Sequence, residues 1–219
     1  MKNLKNKRIL ITAGPVWVPI DSVRIITNIF RGTLGVLIAK EAIKKGAKVT
    51  LLLGPGGVSI SKKLPKNLRV IYFRFFDELY ELMEKEISSK KYEIVIHSAA
   101  VADYKPIQYY KGKISSKHPI LTIHLKPTPK IVDQIKHWNP QVFLVKFKLE
   151  VNINRRKLIE KAYQSMQDSN ADLIVANDLK DMKGQTHKAL IIDPQKKIVT
   201  CNTKKEIAKK LLNIIASRI

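Results

Sequence analysis

Arg8-Ile9-Leu10-Ile11-Thr12-Ala13, closed by Gly14-Pro15, is a compact apolar run ending in turn formers. Continuous apolar character, without strict alternation, marks a strand buried on both faces, as parallel sheets require. Lys48-Val49-Thr50-Leu51-Leu52-Leu53 repeats the pattern and is closed by Gly54-Pro55-Gly56-Gly57. Arg69-Val70-Ile71-Tyr72-Phe73 and Glu93-Ile94-Val95-Ile96-His97-Ser98 read as the third and fourth strands. Between the first two, Thr33 to Lys45 places Leu34, Leu37, Ile38, Ala42 and Ile43 at helical spacing, and Gly46 stops the helix. A second helix spans about Phe76 to Ser88. This alternation predicts an α/β fold: a mostly parallel sheet with helices on both faces and right-handed crossovers.

After Ala99 the pattern loosens. Residues 103–118 read as a loop bearing lysines and tyrosines, a less regular central insertion. Ile120 to Leu125 alternates like a strand, and Gln141 to Phe147 is another. A helix follows from about Asn154 to Ser169, then a buried strand, Leu173-Ile174-Val175-Ala176. Ala189–Asp193 and Lys197–Thr200 flank Pro194-Gln195 as a hairpin. The last helix starts at Thr203, with Glu206 three residues on in capping-box spacing.

The 219 residues suit one domain over 1–219, with 45% hydrophobic and 27% charged residues, which excludes a disordered or collagen-like chain. No apolar stretch approaches the ~20 residues of a membrane span, and Met1 to Arg8 shows no signal-peptide pattern. A lone cysteine, Cys201, makes no internal disulfide and suits a cytoplasmic location. The charge is unusual: 41 basic against 18 acidic residues give +23. A nucleic-acid binder is one reading. A lysine coat over the whole surface is the other. It is favoured because lysine outnumbers arginine and the cations are spread from Lys5 through Lys62 to Lys205.

Ligands of open parallel sheets bind beyond the carboxyl ends of the strands. Gly14 ends the first strand, and Gly32 and Gly35 prepare the first helix, where free N–H groups favour phosphate. The spacing is not that of a standard GxGxxG fingerprint, and turn geometry alone is the competing explanation. Ser98-Ala99-Ala100-Val101-Ala102-Asp103-Tyr104 ends the fourth strand. Its small residues let a nucleotide approach the backbone, and Asp103 suits a ribose hydroxyl, a metal-bound water or a loop cap. Lys113 lies in the following loop as a point charge for phosphate or as one surface lysine among many, and Asn177-Asp178 follows a buried strand. The five histidines have no metal-ligand spacing, and no Ser-His-Asp or Cys-His signature is present. Trp17 and Trp138 read as packing residues.

Four segments together resemble phosphopantothenoylcysteine synthetase (phosphopantothenate–cysteine ligase). They are Ile11 to Asn28 with Gly32 and Gly35; Ser98 to Pro106; Phe147-Lys148-Leu149-Glu150; and Ala171 to Asp178. The resemblance covers nearly the whole chain. It implies a Rossmann-like fold and a dimer, as a ligase domain without the flavin-dependent decarboxylase half that many bacteria fuse to it, leaving a separate decarboxylase chain as a partner. It also implies joining of 4′-phosphopantothenate to L-cysteine in coenzyme A biosynthesis, with CTP or ATP and Mg2+, through an acyl-nucleotide intermediate. By position, Asn28 would bind that intermediate, Lys113 would contact phosphate and assist turnover, and Arg24 with Asn28 would meet the acid substrate. Gly14, Gly32, Gly35, Ser98, Ala99, Asp103, Pro129, Lys130, Ile131, Phe147 and Asn177 would line the nucleotide, with Phe147 at the base.

The chain departs from the family pattern in four places. Val16-Trp17-Val18 replaces a Thr-Arg-Glu-like stretch, and Arg31-Gly32-Thr33 replaces Ser-Gly-Lys. Lys113-Ile114-Ser115-Ser116 keeps one lysine of Lys-Ile-Lys-Lys, and Ser165 and Ser169 align with two lysines. These changes leave the nucleotide open. The alternatives are a nicotinamide-dependent oxidoreductase, disfavoured by the missing GxGxxG spacing and Tyr-x-x-x-Lys pair, and a basic RNA-binding protein.

Overall fold

The apolar run that opens the chain is strand β1 (Arg8–Ala13), buried from Ile9 to Ala13. The computed structural model describes residues 3–56, 58, 60, 63–184 and 186–219. Met1, Lys2, Gly57 and Lys62 of the sequence read above lie outside the described residues. After β1 come β2 (Trp17–Pro19), β3 (Ile25–Thr27), α1 (Thr33–Lys44), β4 (Lys48–Leu53), β5 (Leu68–Tyr72) and α2 (Phe76–Ser88). Then follow β6 (Ile94–His97), β7 (Tyr104–Pro106), β8 (Leu125–Pro127), α3 (Ile131–Trp138), β9 (Phe143–Glu150) and α4 (Arg155–Asp168). The chain ends with β10 (Leu173–Asp178), β11 (Ala189–Ile192), β12 (Ile198–Cys201) and α5 (Lys204–Ile215).

Eight strands form one sheet in the order β12-β11-β10-β9-β6-β1-β4-β5. The six from β10 to β5 are parallel, and β11 and β12 add antiparallel pairings at one edge. Side chains alternate between two cores. Ile9, Ile11, Ile94, Ile96 and Val145 pack with α1 and α5. Leu10, Val95, Leu144 and Ile174 pack with α2, α3 and α4. Helices thus cover both faces, as the continuous apolar strands require.

The irregular middle departs from the sequence reading. Residues 120–124 form no strand. Only Leu125–Pro127 pairs, with β7, in a two-stranded sheet of its own. Ile120 and Leu121 are 81% and 45% exposed, so their alternation has no core to face. A second small sheet, the β2–β3 hairpin, follows β1 directly. Helix α3 buries only Ile131 and Ile135, a spacing too brief to stand out in the sequence. At α5 the Thr203 hydroxyl accepts the Glu206 N–H at 3.1 Å, while the Glu206 carboxylate takes the Asn202 N–H, one residue before the cap.

Asp178 ties the β9–α4 connection to the end of β10. Its carboxylate accepts N–H groups from Asn152 at 2.9 Å, Ile153 at 2.8 Å and Lys180 at 3.1 Å. Burial alone would raise its pKa. The N–H donors outweigh that and draw it from 3.8 to about 2. A depressed pKa means that the stabilisation is complete above the ordinary carboxylate range and is lost as pH falls through the folded value. Urea unfolding between about pH 5 and pH 2 should show this loss, and Asp178→Asn should flatten that limb. An unchanged acid limb in the variant would contradict the assignment.

Candidate active site

Three strand ends and one helix start converge where β1 stops. Gly14 (φ 90°) and Gly32 (φ 81°) are left-handed, a region costly for residues with a Cβ. A Cβ on Gly32 would stand 2.5 Å from the Gly14 nitrogen, and one on Gly14 would stand 2.8 Å from the Gly54 carbonyl oxygen. At Gly35 it would meet Ala13 Cβ and Ser98 Oγ, both at 2.6 Å. The close approach seats the first turn of α1 against the ends of β1 and β6. Gly32 is the N-cap and supplies no side-chain acceptor, and the first turn carries no acidic residue. Its first N–H groups are therefore left for an acceptor from outside the helix.

The turn after β6 is fastened to β1. Ser98 Oγ donates to the Thr12 carbonyl at 2.6 Å, and the Ala99 N–H donates to Thr12 Oγ1 at 3.0 Å. Ala100 N–H reaches the Gly14 carbonyl at 2.9 Å, and Val16 N–H reaches the Ala100 carbonyl at 3.1 Å. Asn28 Nδ2 donates to the carbonyls of Ala100 at 3.0 Å and Val101 at 3.4 Å. The two carbonyl acceptors fix the amide orientation, leaving Oδ1 available to a ligand. Thr128 binds the other side of the turn, its hydroxyl to the Ala102 carbonyl at 2.6 Å and its N–H to the Asp103 carbonyl at 2.9 Å. Pro129 and Lys130 therefore lead into α3, which Ile131 starts, beside Asp103, whose side chain is exposed and makes no hydrogen bond with the described residues. Gly14, Asn28, Gly32, Gly35, Ser98, Ala99, Asp103 and Pro129 to Ile131 thus share one region.

Lys113 is held at the far end of the β2–β3 hairpin. Gly112 exchanges hydrogen bonds with Ser22, its N–H to Oγ and its carbonyl from the Ser22 N–H, both at 3.0 Å. Ile114 donates its N–H to Asp21 Oδ2 at 3.0 Å, and its carbonyl accepts both terminal nitrogens of Arg24 at 3.2 Å. Arg24 also pairs with Asp21 at 2.6 Å. Burial would raise the Asp21 carboxyl. The N–H groups of Ile114, Val23 and Arg24, with the guanidinium, pull it down to about 2. Arg24 therefore binds the lysine loop with both terminal nitrogens. From Arg24 to Asn28 is four extended residues, about 13 Å, so one ligand touching Asn28 and the Lys113 region must be elongated.

Two expected residues stand apart. Phe147 lies on β9, facing the α1–α5 core. Asn177 is the penultimate residue of β10, two strands from β6, with Nδ2 on Met182 Sδ at 3.1 Å. Of the departures from the family pattern, Val16 is core and Trp17 meets the Phe75 ring edge-on at 6.4 Å. Val18 is buried, and Ser115 and Ser116 are exposed. Thr12, Asp21 and Thr128 were not singled out in the sequence. Each acts through partners far along the chain, and no local spacing signals that.

The profile of a family described as the DNA/pantothenate metabolism flavoprotein C-terminal domain matches residues 4–219. The chain belongs to this family. It is 37% identical over 212 residues to the coenzyme A biosynthesis bifunctional protein CoaBC of Thermococcus kodakarensis, covering 96% of this chain and 51% of that protein. It therefore spans about half the length of such relatives. A crystal structure of the DNA/pantothenate metabolism flavoprotein from Streptococcus pneumoniae superposes with TM-score 0.88 at 31% identity, covering 97% of this chain and all of that one. The C-terminal domain of a CoaBC protein gives TM-score 0.80 at 28% identity, covering 99% and 97%. The family shares this Rossmann-like, mostly parallel architecture.

The glycine contacts carry a measurable cost. Gly32→Ala should destabilise the chain by more than the about 1–2 kcal/mol of a left-handed alanine. Gly112→Ala (φ 83°, nothing within 4 Å of its Cβ) should cost only that penalty. Equal losses in chemical denaturation would show that the approach of Gly32 to Gly14 does not constrain the fold.

Proposed function

We propose that this chain is a phosphopantothenate–cysteine ligase of coenzyme A biosynthesis, using CTP or ATP. The observation that carries the reading is the Asn28 side chain, which fastens the β2–β3 hairpin to the Ser98–Asp103 turn beside the uncapped start of α1. An acid held along the hairpin and a phosphate held at the helix start then meet at one point.

In the first step a carboxylate oxygen of 4′-phosphopantothenate attacks the α-phosphorus of the nucleotide and pyrophosphate leaves. The α1 N–H groups and the positive end of the helix dipole offset the phosphate charge. In the second step the cysteine amine attacks the acyl carbonyl, loses a proton and expels the nucleoside monophosphate. Asn28 Oδ1 accepts a hydrogen bond from the amide N–H or hydroxyl of the bound pantothenate chain, since the carboxylate itself has none to give. The elongated acyl-nucleotide matches the span from Asn28 to the hairpin tip, where Lys113 is a cation for its terminal phosphate. Arg24 supports the site by holding that loop. Ser98 and Ala99 border the nucleotide, as do Pro129, Lys130 and Ile131. Phe147 and Asn177, one and two strands further along the sheet, take the distal part of the nucleotide. The exposed Asp103 carboxylate would hold a water of Mg2+ bound with the nucleotide, which would neutralise phosphate charge.

We also propose a cytoplasmic homodimer with one ligase-type domain per chain. Val23, Tyr104, Ile107, Tyr109, Ile120 and Leu125 expose large apolar side chains on the hairpin and insertion, an area that suits a second copy. Association with a decarboxylase, as a separate or fused segment, follows from the same reading.

Sustained pyrophosphate release should require a nucleotide, phosphopantothenate and cysteine together. Asn28→Ala should lower kcat about 10²-fold or more, with circular dichroism unchanged. No release with either CTP or ATP, or near-normal turnover of the variant, would contradict the reading.

A further inference from the structure

Thr12, His97 and Lys146 are register neighbours across β1, β6 and β9, on the face covered by α2, α3 and α4. All three are buried. Thr12 Oγ1 accepts the Ala99 N–H and lies 3.0 Å from His97 Nδ1. The hydroxyl still has one hydrogen to give, and Nδ1 is the acceptor within reach. With the hydroxyl as donor, the ring hydrogen is on Nε2. Burial, with Lys146 alongside, lowers the imidazole pKa to about 4 and keeps it neutral near pH 7. Nε2 makes no hydrogen bond with the described residues, yet it is not sealed in. Among those residues, His187 Nδ1 is the buried side-chain polar atom left without a partner.

Lys146 is 6% exposed. Its ammonium donates to the Ser165 carbonyl at 2.7 Å and to the Ser169 hydroxyl, two of its three hydrogens. Both partners are neutral. Asp133 and Asp168 act on it only from beyond ion-pairing distance, and burial lowers its pKa. Capping the last turn of α4 accounts for the Ser165 contact. It accounts neither for the third N–H nor for the unbonded Nε2–H in the next strand. Among the described residues neither the third ammonium N–H nor the Nε2–H has an acceptor, so both are open to one that a ligand supplies.

We propose that His97 Nε2 and Lys146 Nζ form the floor of the nucleotide subsite and donate together to an oxygen acceptor of the nucleotide. This deepens the ligase reading and rests on it: His97 ends β6 where the Ser98-Ala99 turn begins, and Lys146 is its register neighbour on β9, on the sheet face opposite Phe147. It assigns nucleotide recognition to two side chains that the motif reading passed over. It also gives Ser165 and Ser169 a role, since they hold the Lys146 ammonium.

Calorimetric titration of the unmodified chain, Lys146→Met and His97→Leu with CTP, ATP, cytidine, adenosine and inorganic triphosphate tests this. Both variants should lose about tenfold or more in affinity for the nucleotide that the unmodified chain binds, and His97→Gln, which keeps an N–H donor, should recover part of it. The loss appears with the nucleoside if the acceptor is a base carbonyl, and with triphosphate if it is a phosphate oxygen. Nucleotide affinity within about twofold of the unmodified chain in both variants overturns the proposal. So does a lower Tm with an unchanged nucleotide-induced rise in Tm, the result of capping alone. If Lys146→Met does not fold, Lys146→Gln and His97→Leu carry the same comparison. Absence of any nucleotide binding by the unmodified chain overturns the ligase reading along with this one.

Discussion

The contact on which the rest depends is made without side chains. Gly14, Gly32 and Gly54 bring the ends of β1 and β4 and the start of α1 closer than any Cβ permits, and Gly35 admits Ser98 to the same point. Every other tie at the site runs from that junction. Thr12 holds the Ser98–Ala99 backbone, Asn28 holds Ala100 and Val101, and Thr128 holds Ala102 and Asp103. The result is a turn whose backbone groups are spent on the scaffold, next to a helix start whose N–H groups receive no side-chain acceptor. A site of that kind is prepared for charge before any ligand arrives.

The second organising element is Asp21. A buried carboxylate accepting three backbone N–H groups and one guanidinium welds the hairpin tip to the Ile114 segment. The lysine loop is therefore presented on a braced support. The broad positive charge has local uses as well. At the opposite end of the sheet, Glu86 is buried against Lys91 at 2.8 Å and Arg69 at 3.3 Å, beside a cavity of about 640 Å3 also lined by Arg8, Lys48 and Lys66. Arg69 and Lys91 pair with that acid, while Arg8, Lys48 and Lys66 line the cavity.

The parallel strands were legible because burial on both faces leaves a continuous apolar run, as in Ile9 to Ala13 and Leu173 to Ala176. The helices α1, α2 and α4 were legible through their long apolar spacing. The β2–β3 hairpin was not, since three-residue strands bounded by Pro19 carry no period. Ile120 to His124 misled because alternation says nothing about whether a core exists to receive it. At the site, the glycines and the Ser98–Asp103 turn could be read as strand-end features. Asn28, Lys113 and Arg24 came from the family resemblance. Thr12 and Lys146 were legible from neither, because their partners lie 85 and 23 residues away and only sheet register brings them together.

The central claim is that the ends of β1 and β6, the start of α1 and the Thr128–Ile131 segment form one ligand site. Hydrogen exchange with and without saturating nucleotide tests it most directly. The account expects slowed exchange in peptides covering Asn28 to Val36, His97 to Tyr104 and Thr128 to Val132, with none around Arg8, Lys48 and Arg69. Protection confined to that opposite, basic end, with the Gly32–Gly35 amides unchanged, would contradict it.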